Sequence, residues 1–166
     1  MQQARVIELG AGLGLAGLVC AAAGASMVVL TDLPVRLPLL ARNVRRNGWL
    51  TTTGSCSIQI AALDWGDAAR ALAENTALRD VRATLLVGAD LVHDTAQCAP
   101  LSSAICSLLN EWPQRCSILW SQQRHCPLAT ADLRARLQTE AGFVFESVGT
   151  FPDGDILLGR RRSTPA

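Results

Sequence analysis

Short apolar runs alternate along the chain with stretches whose apolar positions recur every three or four residues. This is the pattern of an α/β domain, a mainly parallel sheet with helices on both faces. Seven strands are predicted, over Arg5 to Leu9, Ser26 to Thr31, Cys56 to Ala61, Ala83 to Gly88, Cys116 to Ser121, Phe143 to Val148 and Asp155 to Gly159. Between the second and third, Leu33, Leu37, Leu40 and Val44 keep helical spacing, with Pro34 as the start signal and Gly48 as the stop. Leu101, Ile105, Leu108 and Trp112 mark a helix opened near Pro100 and stopped before Pro113, and Leu133 and Leu137 mark another closed by Gly142. The last two strands are joined through Phe151-Pro152-Asp153-Gly154, which is hairpin chemistry, so the final pair is expected to be antiparallel.

One segment competes with this reading. Leu9 to Leu30 carries no charge and could pass for a membrane span. Five glycines interrupt it and Glu8 and Asp32 bracket it, so a buried strand, turn, helix and second strand are expected instead, with no membrane association. One domain over residues 1–160 is expected, and residues 161–166, with Arg160 at the boundary, read as a solvated tail. With 49% hydrophobic and 17% charged residues the chain is globular rather than disordered, and a net charge of +1 gives no general field to recruit nucleic acid. The six cysteines form no CxxC pair and no metal-ligand spacing with His93 or His125, so no zinc site is expected. Reduced, buried thiols are the expectation, Cys20 and Cys106 lying on apolar helix faces, which suits a cytoplasmic or nuclear protein.

The residues that carry chemistry collect at strand ends. Glu8-Leu9-Gly10-Ala11-Gly12-Leu13-Gly14 falls where the first strand turns into a helix, and glycines there allow a tight turn and let a ligand reach backbone N–H groups. Gly12-Leu13-Gly14-Leu15-Ala16-Gly17 also fits the dinucleotide fingerprint, with Asp32 where a ribose-binding acid belongs, so nicotinamide binding is a rival. Glu8 favours a ligand with a primary ammonium, such as S-adenosylmethionine, unless it merely caps nearby N–H groups. Asp32 can accept from both ribose hydroxyls or cap the next helix. Asp64 could accept from an adenine amino group beside the Trp65 indole, or be a loop acid beside a core anchor. The fourth strand runs into Gly88-Ala89-Asp90-Leu91-Val92-His93-Asp94, placing a fourth acid at a fourth strand end.

Together Glu-Leu-Gly-Ala-Gly at 8–12, Thr31-Asp32-Leu33, Leu39-Leu40 with Asn43 and Asn47-Gly48, Leu63-Asp64-Trp65 and Gly88-Ala89-Asp90 resemble the seven-β-strand protein-lysine methyltransferases. The resemblance implies a Rossmann-like sheet of seven strands, mostly parallel with an antiparallel last strand, and S-adenosylmethionine as cofactor. It also implies cofactor contact by Gly10, Ala11, Gly12, Asp32, Trp65 and Ala89, and it makes Asp90 the start of the family's Asp-x-x-aromatic signature beside the target lysine. His93 stands where that signature usually has tyrosine or phenylalanine. Relatives carry a segment ahead of the first strand that covers the cofactor, and with Met1 so near that strand the sequence as given is expected to lack it. The implied activity is methyl transfer to a lysine of a protein substrate, a chaperone or a translation factor being the candidates. Transfer to another nucleophile (protein histidine or a small molecule) and a cofactor-binding scaffold with little activity are the alternatives, and no basic, aromatic-rich stretch argues for nucleic acid.

Overall fold

The computed structural model describes residues 3–47, 56–112 and 116–161. The chain forms one seven-stranded sheet from β1 (Arg5–Leu9), β2 (Met27–Asp32), β3 (Ser57–Ala62), β4 (Leu85–Ala89), β5 (Ser117–Gln123), β6 (Phe143–Phe151) and β7 (Gly154–Arg161). The helices among the described residues are α1 (Leu15–Ala22), α2 (Leu37–Arg46), α3 (Ala68–Glu74), α4 (Thr76–Asp80), α5 (Cys98–Asn110) and α6 (Pro127–Thr139). The strand order is β3-β2-β1-β4-β5-β7-β6, with β7 alone antiparallel to its neighbours. The chain winds outward from β1 through β2 to β3, then returns to β4 on the other side of β1. That reversal opens a crevice beyond the carboxyl ends of β1 and β4, the usual ligand position in such a sheet.

Side chains alternate across each strand, so the sheet has two buried faces. Ile7, Leu9, Val29, Leu86, Ile118 and Trp120 pack with Leu101, Ile105 and Leu108 of α5 and Leu133 and Leu137 of α6. Val6, Val28, Leu30 and Val87 pack on the opposite face with Cys20 and Ala21 of α1 and Leu40 of α2. Glu8 follows Val6 on this second face, and its position below depends on that.

The expected strands are all present, with ends displaced by a few residues, and the apolar segment from Leu9 to Leu30 resolves into turn, helix and strand. Among the described residues no helix is long and apolar enough to cross a membrane. Pro34 opens a single 3₁₀ turn, Pro34–Arg36, and the α-helix starts at Leu37 with Pro38 in its first turn. Of the four spaced apolar residues only Leu40 is fully buried, and Leu33 is partly exposed because it lines the crevice. Trp112 is buried two residues beyond the end of α5, so it anchors the exit of the helix rather than its stripe. The stop signals Gly48 and Pro113 lie outside the described residues, as does the tail from 162 onward.

Arg160 and Arg161 are not tail. They extend β7 in register with Val144 and Phe143, where Arg160 pairs with Glu146 and the Arg161 guanidinium donates to the Ala141 carbonyl at 3.2 Å. Antiparallel pairing along the whole of β6 carries the strand past the point where apolar residues stop. All six cysteines are unpaired thiols, Cys20 buried and Cys106 half-buried.

Candidate functional site

A cavity of about 690 Å³ opens at the crevice, within the usual range for a small-molecule site. Gly10 and Gly12 from the β1–α1 turn, Asp32 at the end of β2, Leu63 to Gly66 after β3, and Asp90 and His93 after β4 all line it. The turn owes its shape to the glycines. Gly10, Gly12 and Gly14 have φ of 56°, 55° and 80°, where a side chain would be strained. A Cβ at Gly10 would lie 3.3 Å from the Trp65 ring, so this glycine lets the indole close over the turn. A Cβ at Gly12 would meet nothing within 4 Å, leaving the backbone there open to a ligand.

The turn is held from two sides. Asp32 Oδ2 accepts from Gly12 N–H at 2.7 Å and Oδ1 from Leu33 N–H at 2.7 Å, while Asn43 Nδ2 donates to the Leu13 carbonyl at 2.6 Å. Asp32 is therefore not a cap of the following helix, whose first residues receive no side-chain bond. It sits in the cavity with two backbone donors satisfied and lone pairs to spare. Asp64 accepts from Gly66 N–H at 2.9 Å and caps the short turn Trp65–Asp67, which fixes the indole at the cavity wall.

Glu8 requires a correction. It does not line the cavity: only 3% of it is exposed, and Oε2 accepts from Gly17 N–H in the first turn of α1 at 2.8 Å. Strand alternation sends this side chain to the face of Val6, beneath α1, where it caps N–H groups of the helix rather than lining the cavity. Burial pushes its carboxyl up to about 7, against bonds from the helix N–H groups that favour the ionised form. Ala11 and Ala89 also lie outside the cavity lining. Ala11 is buried with its N–H on the Thr31 carbonyl at 2.8 Å, and Ala89 ends β4 on the strand face opposite Gly88.

At the other end of the cavity Asp90 has φ of 54°, an uncommon conformation that aspartate tolerates better than most residues. It is held by its N–H on the Ser121 carbonyl at 2.7 Å and by Gln122 Nε2, which donates to Oδ1 at 2.7 Å. Gln122 is itself buried, and it also donates to the Val92 carbonyl and accepts from Trp120 Nε1. His93 is exposed at the rim, its backbone N–H on Gln97 Oε1 at 2.7 Å. Sequence reasoning missed two neighbours, Gln122 and His125. The polar run Ser121-Gln122-Gln123 at a strand's carboxyl end was the available signal for the first. His125 is 32 residues from His93, and only the parallel β4–β5 pairing brings their rings together.

The lining holds four carboxylates, Asp32, Asp64, Asp90 and Asp94, against one arginine, Arg36. Such a lining favours a cationic ligand and opposes an anionic one.

Comparison with known proteins agrees with this geometry. The family model described as lysine methyltransferase matches residues 1–130. Protein N-lysine methyltransferase METTL21A of Danio rerio is 39% identical over 90 residues, which cover 54% of this chain and 37% of that protein. Protein N-terminal and lysine N-methyltransferase efm7 of Aspergillus fumigatus is 35% identical over 91 residues, covering 53% of this chain and 34% of that one. The chain thus spans about a third of the length of the curated relatives it matches. The fold is shared with a Streptococcus pneumoniae protein, a putative tRNA (m1A22) methyltransferase in complex with S-adenosyl-L-methionine, at a TM-score of 0.65 and 14% identity over 99% of this chain and 70% of that one. It is shared too with magnesium protoporphyrin IX methyltransferase of Synechocystis PCC 6803, with a TM-score of 0.62 and 18% identity over 97% of this chain and 75% of that one. With its family model matched from β1 into α6 and the Rossmann-like sheet in place, this chain belongs to the lysine methyltransferase family.

Proposed function

We propose that this chain is a methyltransferase that binds S-adenosylmethionine and methylates a lysine side chain of a protein substrate. The observation that carries the reading is the charge of the cavity, four carboxylates against one arginine, at the switch point of a sheet whose family is that of lysine methyltransferases. A dinucleotide would bring a pyrophosphate into that lining, and nothing there but Arg36 and backbone N–H groups would compensate it. A sulfonium, an amino-acid ammonium and a lysine ammonium are all cations. The distinction from nicotinamide binding, for which the sequence points to Glu8, rests instead on these four acids of the cavity lining.

The residues present fit the cofactor. Gly12 leaves its backbone open, Asp32 has lone pairs free for ribose hydroxyls, and Asp64 with Trp65 offers an acceptor and an indole face for adenine. When bound, the cofactor supplies an electrophilic methyl group on sulfur. Methyl transfer relies on alignment and exclusion of water more than on acid–base groups. Asp90, fixed by Gln122, orients the incoming lysine, and His93 walls its channel. The lysine must lose a proton, since its ordinary pKa is about 10.4, and water at the open rim receives it. A chaperone or translation factor is the substrate class that the resemblance suggests, and the unpaired cysteines support a cytoplasmic or nuclear setting.

Calorimetry with S-adenosylmethionine and with NAD, beside transfer of a labelled methyl group to proteins of a cell extract, tests the reading. Binding of the first ligand alone and label on lysine are expected. NAD binding without response to the methyl donor would overturn it.

A further inference from the structure

We propose that Asp90, His93 and His125 form a binding site for a divalent transition-metal ion of the zinc class at the rim of the cavity. One donor atom from each residue lies within 4.8 Å of the others. The two imidazoles stack with ring centroids 5.3 Å apart and planes 18° from parallel, bringing His93 Nδ1 and His125 Nε2 to 3.1 Å. Two nitrogen ligands of a tetrahedral zinc ion, each about 2.0–2.1 Å from the metal, stand roughly 3.3 Å apart. The histidine pair is therefore already near ligand separation through His125 Nε2. Asp90 Oδ1 stands 3.7 Å from the other nitrogen of that ring, Nδ1, so a small turn of the carboxylate or the imidazole brings all three donors onto one ion.

The surroundings hold the donors in place. Gln122 donates to the Asp90 carboxylate, as supporting hydrogen bonds do in metal sites, and Gln97 accepts the backbone N–H of His93, which fixes the loop that carries this residue. Two imidazoles with one carboxylate suit zinc, cobalt, nickel or copper and leave magnesium and calcium, which prefer oxygen ligands, poorly served. A dication also meets a favourable field here, because the nearby cavity is lined by four carboxylates against one arginine. The exposed side of the histidines leaves room for water to complete the coordination. If the function is as proposed above, a metal at this point stands where the lysine must approach, and zinc-class ions block transfer without being part of it.

The test uses the 166-residue chain. Cobalt(II) absorption reports ligand type, and calorimetry with zinc chloride reports affinity, for the wild type and for His125→Ala and Cys126→Ser. Cys126 is included because its thiol reaches the His93 carbonyl and could bind metal itself. One ion per chain is expected, with nitrogen–oxygen bands and no sulfur charge-transfer band, and with affinity lowered at least tenfold in His125→Ala and unchanged in Cys126→Ser. S-adenosylmethionine affinity measured in His125→Ala without metal shows that the variant is folded, and zinc should inhibit transfer by the wild type but not by this variant. Equal metal affinity in His125→Ala, no binding at all, or a sulfur band removed by Cys126→Ser overturns the site. Failure of the functional reading shows differently, as absent cofactor binding or transfer in metal-free protein.

Discussion

Glu8 offers the sharpest test of how the site is built. Burial beneath α1 raises its carboxyl from an ordinary 4.5 to about 7, so between those values the folded chain holds a proton that the unfolded chain has released. Stability from this group is complete below about pH 4.5 and is lost as pH climbs to about 7. At about 1.4 kcal/mol for each pH unit of separation, the loss is about 3 kcal/mol. Glu8→Gln keeps a carbonyl oxygen for the Gly17 N–H and removes the ionisation. Urea unfolding of both proteins from pH 4.5 to 8 should show the wild type losing about 3 kcal/mol relative to the variant across that window, with no further divergence above it. Cofactor affinity at pH 8 should be the same in both, because the carboxylate lies outside the cavity. Parallel pH profiles would refute the buried, proton-holding carboxyl, and a large loss of cofactor affinity in a stable variant would return Glu8 to the ligand.

Asp32→Ala should weaken S-adenosylmethionine binding by about 1.5–3 kcal/mol in calorimetry. It should also cost about 1 kcal/mol of stability in urea unfolding, since the N–H groups of Gly12 and Leu33 lose their acceptor. Asp90→Ala should lower methyl transfer at least tenfold, about 1.4 kcal/mol in the barrier, with cofactor affinity little changed, as read by steady-state rates beside calorimetry. Gly17→Ala should destabilise by about 1–3 kcal/mol or more in thermal unfolding, because its Cβ would lie 2.2 Å from Leu30 Cδ2 and 2.7 Å from Glu8 Oε2.

Much of this was legible in the sequence because strand ends announce themselves. Asp32, Asp64 and Asp90 each follow an apolar run, and a sheet with one reversal point gathers such acids at one crevice. Glu8 stands two residues before the first glycine, a spacing that points to the ligand, whereas its parity along β1 turns the side chain the other way. Val6 and Glu8 share one face, and α1 covers that face. His125 and Gln122 were invisible for another reason: their partnership with Asp90 depends on the pairing of β4 with β5, which spacing along the chain does not encode. Arg160 and Arg161 read as tail in the sequence because a run of arginines suits solvent, whereas an edge hairpin can carry arginines through its last pairs.

The insertion of β7 between β5 and β6 bears on how the chain matures on the ribosome. β6 is made before β7 yet has no backbone bonds to the rest of the sheet except through it. Until residues 154–161 have emerged, the edge of β5 stays open, with Trp120 and Phe145 deprived of the strand that closes the sheet around them. An open, apolar edge invites pairing with other chains. The last hairpin therefore acts as the lock on a nascent sheet, and chains ending near residue 150 should scatter light as aggregates under conditions in which the longer chain stays clear.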